Sequence, residues 1–177
     1  MWKHRVCRRR TWRKLHLGID ETTREIVAVE LTGSRVHDSQ PLPALLEQIP
    51  GPIAQVSGDG AYDTRTCYEA VLQHGAVPTF VPRRTARLGT VKEPPAWRAE
   101  RNRILQQIAV HGPAAWRALS GNTRQSIAEN TMFRFKRLFG GRLWARNLET
   151  QRTEAVVKCS VLNRMTQLGM PETIRIG

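Results

Sequence analysis

"VSGDGAYDTRTCYEAVLQHGAVPTFVP", residues 56–82, decides the architecture. The stretch leaves a short apolar run, "PIAQV", crosses an aspartate set between two glycines, enters a helical pattern and closes on a second apolar run. "DTRTCYEAVLQHG" predicts a helix with Asp63 as its N-cap and Gly75 as its C-terminal stop. Two strands joined by a helix predict a right-handed parallel crossover. Asp59 then falls at the carboxyl end of the first of these strands, the end that faces the ligand crevice in open α/β sheets. Gly58 and Gly60 let backbone or ligand approach without a Cβ in the way. Two readings of Asp59 compete. It forms an Asp-Gly turn, or it presents a carboxylate to a ligand; its strand-to-helix position and the charge of the chain favour the second.

That charge is strongly positive. The 177 residues carry 28 Lys and Arg against 15 Asp and Glu, a formal net charge of +13. The length suits a single domain spanning 1–177, and 40% hydrophobic residues suffice for a core. Such a balance points to a polyanionic partner, nucleic acid above all. Cys7, Cys67 and Cys159 are odd in number and form no CxxC pair, so neither a disulfide framework nor a zinc site is indicated. No apolar run approaches the ~18 residues of a membrane span. The basic stretch 1–12 lacks the apolar segment of a signal peptide. A cytoplasmic, nucleoid-associated protein with no membrane partner is expected.

Upstream, "RKLHLGID" (13–20) alternates through Leu15, Leu17 and Ile19, and "EIVAVELT" (25–32) through Val27, Val29 and Leu31, which predicts an antiparallel hairpin. Residues 37–51 predict a short helix capped by Asp38 or Ser39 and carrying Leu42, Leu45, Leu46 and Ile49. Downstream, "PRRTARLGTVKEPP" (82–95) is a basic loop, either a solvated linker or a DNA-facing loop that offers Arg83 and Arg84. Helices follow at 96–112 and 113–121, with Trp97 and Trp116 read as core. A further helix over 124–139 is ended by Gly140-Gly141, and a last one, about 149–168, packs Val156, Val157, Val161 and Leu162 on the sheet. Glu129 is the only acid between Glu100 and Glu149, and stands among Arg124, Arg134, Lys136 and Arg137. It is either a salt-bridged structural residue or a metal ligand in a phosphate-binding cleft.

In order along the chain, "RRTWRKLHLGIDETTREIVAVELT", "HDSQ", "GDGAYDT" and "AENTMFRFKRL" resemble the catalytic half of an insertion-sequence transposase of the DDE type, in the group whose last motif is Tyr-Arg-Glu-Lys. The resemblance runs from about residue 8 to residue 169. It implies an RNase H-like mixed sheet flanked by helices, and two Mg²⁺ (or Mn²⁺) ions held by three acids for DNA cleavage and strand transfer. It implies transposon ends and target DNA as partners, and a homo-oligomer. By this resemblance Asp59 is the second family aspartate, Glu129 the glutamate of the last motif and Lys136 its lysine. Arg124, Arg137, Arg83 and Arg84 join Lys136 in holding DNA. The motif's arginine and tyrosine positions hold Gln125 and Asn122. The first aspartate, which the family places on a strand upstream of "RRTWRKLHL", has no counterpart; Asp20 is the earliest acid. The expectation is a copy lacking its first strand and inactive alone. A catalytically inactive DNA-binding regulator and an RNase H-like nuclease are the alternatives.

Overall fold

The computed structural model describes residues 12–122 and 125–169. The elements are β1 (Arg13–Ile19), β2 (Ile26–Gly33), α1 (Leu42–Leu46), β3 (Gln55–Gly58), α2 (Arg65–Gln73), β4 (Val77–Phe80), α3 (Ala96–His111), α4 (Pro113–Leu119), α5 (Gln125–Phe139) and α6 (Leu148–Gln167). This is a mixed α/β fold with short sheets. β1 and β2 form the expected antiparallel hairpin, and β3 and β4 the expected parallel pair. The two pairs are separate two-stranded sheets, however, not one continuous mixed sheet. No described strand bridges them, and the outer edge of β1 borders a groove.

The hairpin pattern is broken by one bulge. Between Gly18 and Ile19 the register shifts, so that Ile26 and not Val27 lies opposite Ile19. Leu15, Leu17, Ile19 and Val29 then pack with buried Ile26, Phe135, Cys159 and Leu162, which joins the hairpin to α5 and α6. A second core gathers Leu42 and Leu46 of α1, Cys67, Tyr68 and Val71 of α2, Phe80 of β4, Ile104 of α3 and Trp116 of α4. Trp97 packs against it, so both tryptophans serve the core as expected.

Three local expectations fail for identifiable reasons. Pro41 occupies the start of α1, and no side chain caps it; Asp38 instead turns to Lys14, with Nζ 2.9 Å from its carboxylate. Thr64, not Asp63, caps α2, accepting the Cys67 N–H at 3.3 Å. On α6 the buried residues are Ala155, Cys159 and Leu162, whereas Val156, Val157 and Val161 are exposed. Hydrogen bonds fix that rotation. The Asn163 side-chain amide accepts from the Ile26 N–H and donates to the Ile26 carbonyl, both at 2.8 Å, and Arg152 donates to the Leu31 carbonyl at 3.2 Å. Turning the helix to bury its valines would break all three bonds.

Asp63, released from the cap, is buried with its side chain wholly out of solvent. Arg101 of α3 meets it with two parallel bonds, at 2.7 and 2.9 Å, and the Arg83 N–H adds a third at 2.9 Å. Burial alone would raise the Asp63 pKa, but these donors overturn it and hold the carboxyl below its ordinary value. A depressed pKa contributes stability above the unfolded value of about 3.9, which is lost as pH falls through the folded value. Asp63→Asn should therefore destabilise the fold by about 3 kcal/mol in urea titrations at neutral pH, because the Arg101 charge is left half-buried and unpaired. The gap between the variant and the parent should narrow below about pH 4. A gap that does not change with pH would contradict this account.

Candidate functional site

The structure opens one large groove, about 1140 Å³, bounded by β1, the Asp59–Tyr62 turn after β3, α5 and α6. Asp59 lines it, one residue past the end of β3 as the crossover requires. The turn reading of Asp59 holds. Its carboxylate accepts the Ala61 N–H at 2.9 Å and its carbonyl the Tyr62 N–H at 3.1 Å, which is the Asp-Gly turn. The second carboxylate oxygen takes no hydrogen bond from a described residue, and the side chain is exposed toward the groove.

From α5, Ala128, Met132, Phe135 and Lys136 line the groove, the one-face spacing of a helix. Lys136 is thus brought to the same groove as Asp59. Glu129 sits next to Ala128 but is exposed and outside the groove lining, and it forms no ion pair with a described residue. Arg137 is exposed in the last turn of α5. Arg124 lies outside the described residues. Among the described residues no three His, Cys, Asp or Glu side chains come together as metal ligands.

One acid was missed. Asp38, expected to cap a helix, lines the groove beside Lys14. The hydrogen bond from Lys14 holds its carboxyl below the ordinary value. Asp38 and Asp59 act together on one neighbour. Burial first, then the charges of these two carboxylates, push the Tyr62 phenol up to about 12. Asp59, Tyr62, Asp38 and Lys14 therefore form one neighbourhood at the start of β1. The "HD" of "HDSQ" was its sequence signal, obscured by the polar residues that made it resemble a helix start. Asp20, the other acid considered, closes the hairpin turn by accepting the N–H groups of Thr22 and Thr23 at 2.7 and 2.9 Å.

The basic loop is not a free linker. Arg83 and Arg84 are exposed, yet the Arg83 guanidinium donates to the Gly60 carbonyl at 3.2 Å and so braces the Asp59 turn. Asn102 of α3 holds both the N–H and the carbonyl of Gly89, at 3.0 and 3.3 Å. Asn122 is buried and donates to the Thr79 carbonyl at 2.5 Å, tying the segment before α5 to β4.

Gly58 makes room for protein, not ligand. A Cβ there would lie 2.9 Å from the Tyr62 ring and 3.1 Å from Phe80. The Tyr62 and Phe80 rings stack with centroids 6.0 Å apart. Gly58→Ala should displace Tyr62 and destabilise by about 1–3 kcal/mol in urea titrations, with a changed near-ultraviolet dichroism from the two rings. An unchanged spectrum and midpoint would show that the ring does not depend on the glycine.

Comparison with known proteins adds to this geometry. No solved structure matches the chain significantly. The family model described as the transposase DDE domain matches residues 1–164, nearly the whole sequence and every element up to the last turn of α6. With an aspartate at the end of a parallel strand, a lysine lining the same groove from a late helix and a net charge of +13, the chain belongs to the transposase DDE domain family.

Proposed function

We propose that this chain is the DNA-handling part of an insertion-sequence transposase, of the group with a Tyr-Arg-Glu-Lys last motif. On this reading the hairpin and the β3–β4 pair are two parts of an RNase H-like sheet. The observation that carries it is Asp59 at the carboxyl end of β3, in one groove with Lys136. Arg13 and Arg142 line the same groove. These cations neutralise backbone phosphates, and sequence-independent contacts dominate the affinity.

The family implies divalent metal chemistry, in which two ions ~4 Å apart activate the attacking oxygen and stabilise the leaving one. The acids among the described residues do not fit such a site unaided. Asp59 has one oxygen committed to its turn, Asp38 is paired with Lys14, and Glu129 lies outside the groove lining. The described residues alone therefore lack the acids for a two-metal cleavage site. Instead the chain binds DNA, and joins or cuts it only when a further carboxylate is supplied.

Gel-shift titrations test this. Affinity should fall by orders of magnitude between about 50 and 200 mM salt, and Lys136→Ala should lower the salt slope by about one phosphate contact. Supercoiled plasmid incubated with the chain and Mg²⁺ or Mn²⁺ should stay closed. Salt-independent binding would remove DNA as the partner, and metal-dependent nicking abolished by Asp38→Asn would show that the chain's own acids suffice.

A further inference from the structure

Two of the described tryptophans stay out of both cores. Trp12 is 68% exposed and Trp144 75%. A lone exposed apolar side chain is ordinary. The backbone that carries Trp144 is not. It belongs to no helix or strand, yet its polar groups are pinned one after another. Glu154 of α6 accepts the Trp144 N–H and the Ala145 N–H, both at 2.8 Å. Gln151 donates to the Ala145 carbonyl at 3.0 Å, and Lys158 to the Arg142 carbonyl at 3.1 Å. Lys158 and Glu154 are themselves an ion pair at 2.7 Å. Three side chains of one helix thus fix an irregular segment whose largest side chain stands in water. Fixing the segment costs conformational entropy, and an indole left in water forgoes the burial that would offset it.

One face of that indole is already engaged. The Arg142 guanidinium lies over it, 4.8 Å from the ring centroid, and the same arginine lines the groove. Trp12 lines the groove too and comes to the same end of it. Its neighbour Arg13 donates to Gln151 at 2.9 Å, and Gln151 holds Ala145, the neighbour of Trp144. Both tryptophans therefore stand one residue from a group bonded to a single glutamine.

Charge selects what meets them. Lys158 neutralises Glu154, while Arg142 and Arg146, on either side of Trp144, are exposed. A second copy of the chain brings its own net charge of +13 and is repelled. A ligand with an anionic backbone and flat apolar rings suits both features, and a nucleic-acid strand is such a ligand. In a duplex the ring faces are covered by neighbouring bases, so unpaired bases are the ones free to stack on an indole. We propose that Trp144 and Trp12 are stacking platforms for unpaired bases of a DNA strand whose phosphates lie along Arg13, Lys136 and Arg142. That the strand is DNA rests on the transposase reading.

The full chain is titrated, without metal, into a duplex of about 20 base pairs with a central run of unpaired thymines, and into the same duplex fully paired. The unpaired DNA should bind about tenfold tighter. A fluorescent aminopurine placed in the unpaired run should dim on binding, as a base does when it stacks on an indole. Trp144→Ala should remove the preference, and so should Trp144→Leu, which is apolar but not planar. Trp144→Phe should keep most of it, and Trp12→Ala should reduce it. The salt slope should match the parent's in every variant, because stacking releases no counterion. Urea midpoints check the fold; should Trp144→Ala shift its midpoint, the aminopurine signal of the parent and the Trp144→Phe and Trp12→Ala variants decide. Equal binding of the two DNAs, an undimmed aminopurine, or a preference that survives Trp144→Ala overturns the proposal. So does a native mass that rises with protein concentration in the parent and not in Trp144→Ala, which assigns the indole to a second copy. Steeply salt-dependent binding of both DNAs with no preference removes the stacking alone; binding of neither removes the transposase reading with it.

Discussion

The buried carboxylate of Asp63 is the constraint on which the arrangement around Asp59 depends. It is four residues past Asp59 and holds three donors, two from α3 and one from the first arginine of the basic loop. That arginine then reaches back to Gly60. The turn that presents Asp59 is thus gripped on both sides by one ion pair. Without it, no side-chain hydrogen bond among the described residues would join α3 to the β3–α2 turn, and apolar contacts fix position but not direction.

Periodicity made the elements legible, because each buries a face whose spacing the sequence records. The hairpin, the strand–helix–strand unit and all four later helices follow from it. Lost were the features decided by partners distant in sequence. The valines of α6 are its most apolar residues, yet Asn163 and Arg152 rotate them outward to serve β2, 137 and 121 positions away. Asp63 looks like a cap because Arg101, 38 residues later, is invisible to local reasoning. The same holds for Asp38, whose neighbour Lys14 lies 24 residues upstream. Gly58 was read as space for backbone or ligand, and the space is taken by the Tyr62 and Phe80 rings.

Of the site, the position of Asp59 was legible and its surroundings were not. A strand-to-helix junction fixes where an aspartate points relative to a sheet. It does not fix which side of a helix seventy residues later faces it. Lys136 lines the groove and Glu129 does not, although the seven residues between them leave the two within about 20° around α5 and about 10 Å apart along it.

The bracket around Ile26 also has a consequence for how the chain acquires its shape. β3, α2 and β4 are contiguous, so their contacts close short loops and form early. The hairpin has a tight turn, but the bonds that settle its outer strand come from α6, more than a hundred residues downstream. Contacts so distant in sequence slow the search for the native state. During synthesis the parallel unit can assemble while α6 is still unmade. The outer edge of β2 stays only partly covered, by Gln48, until α6 has left the ribosome, and that interval is when this protein is most prone to pair with the wrong strand.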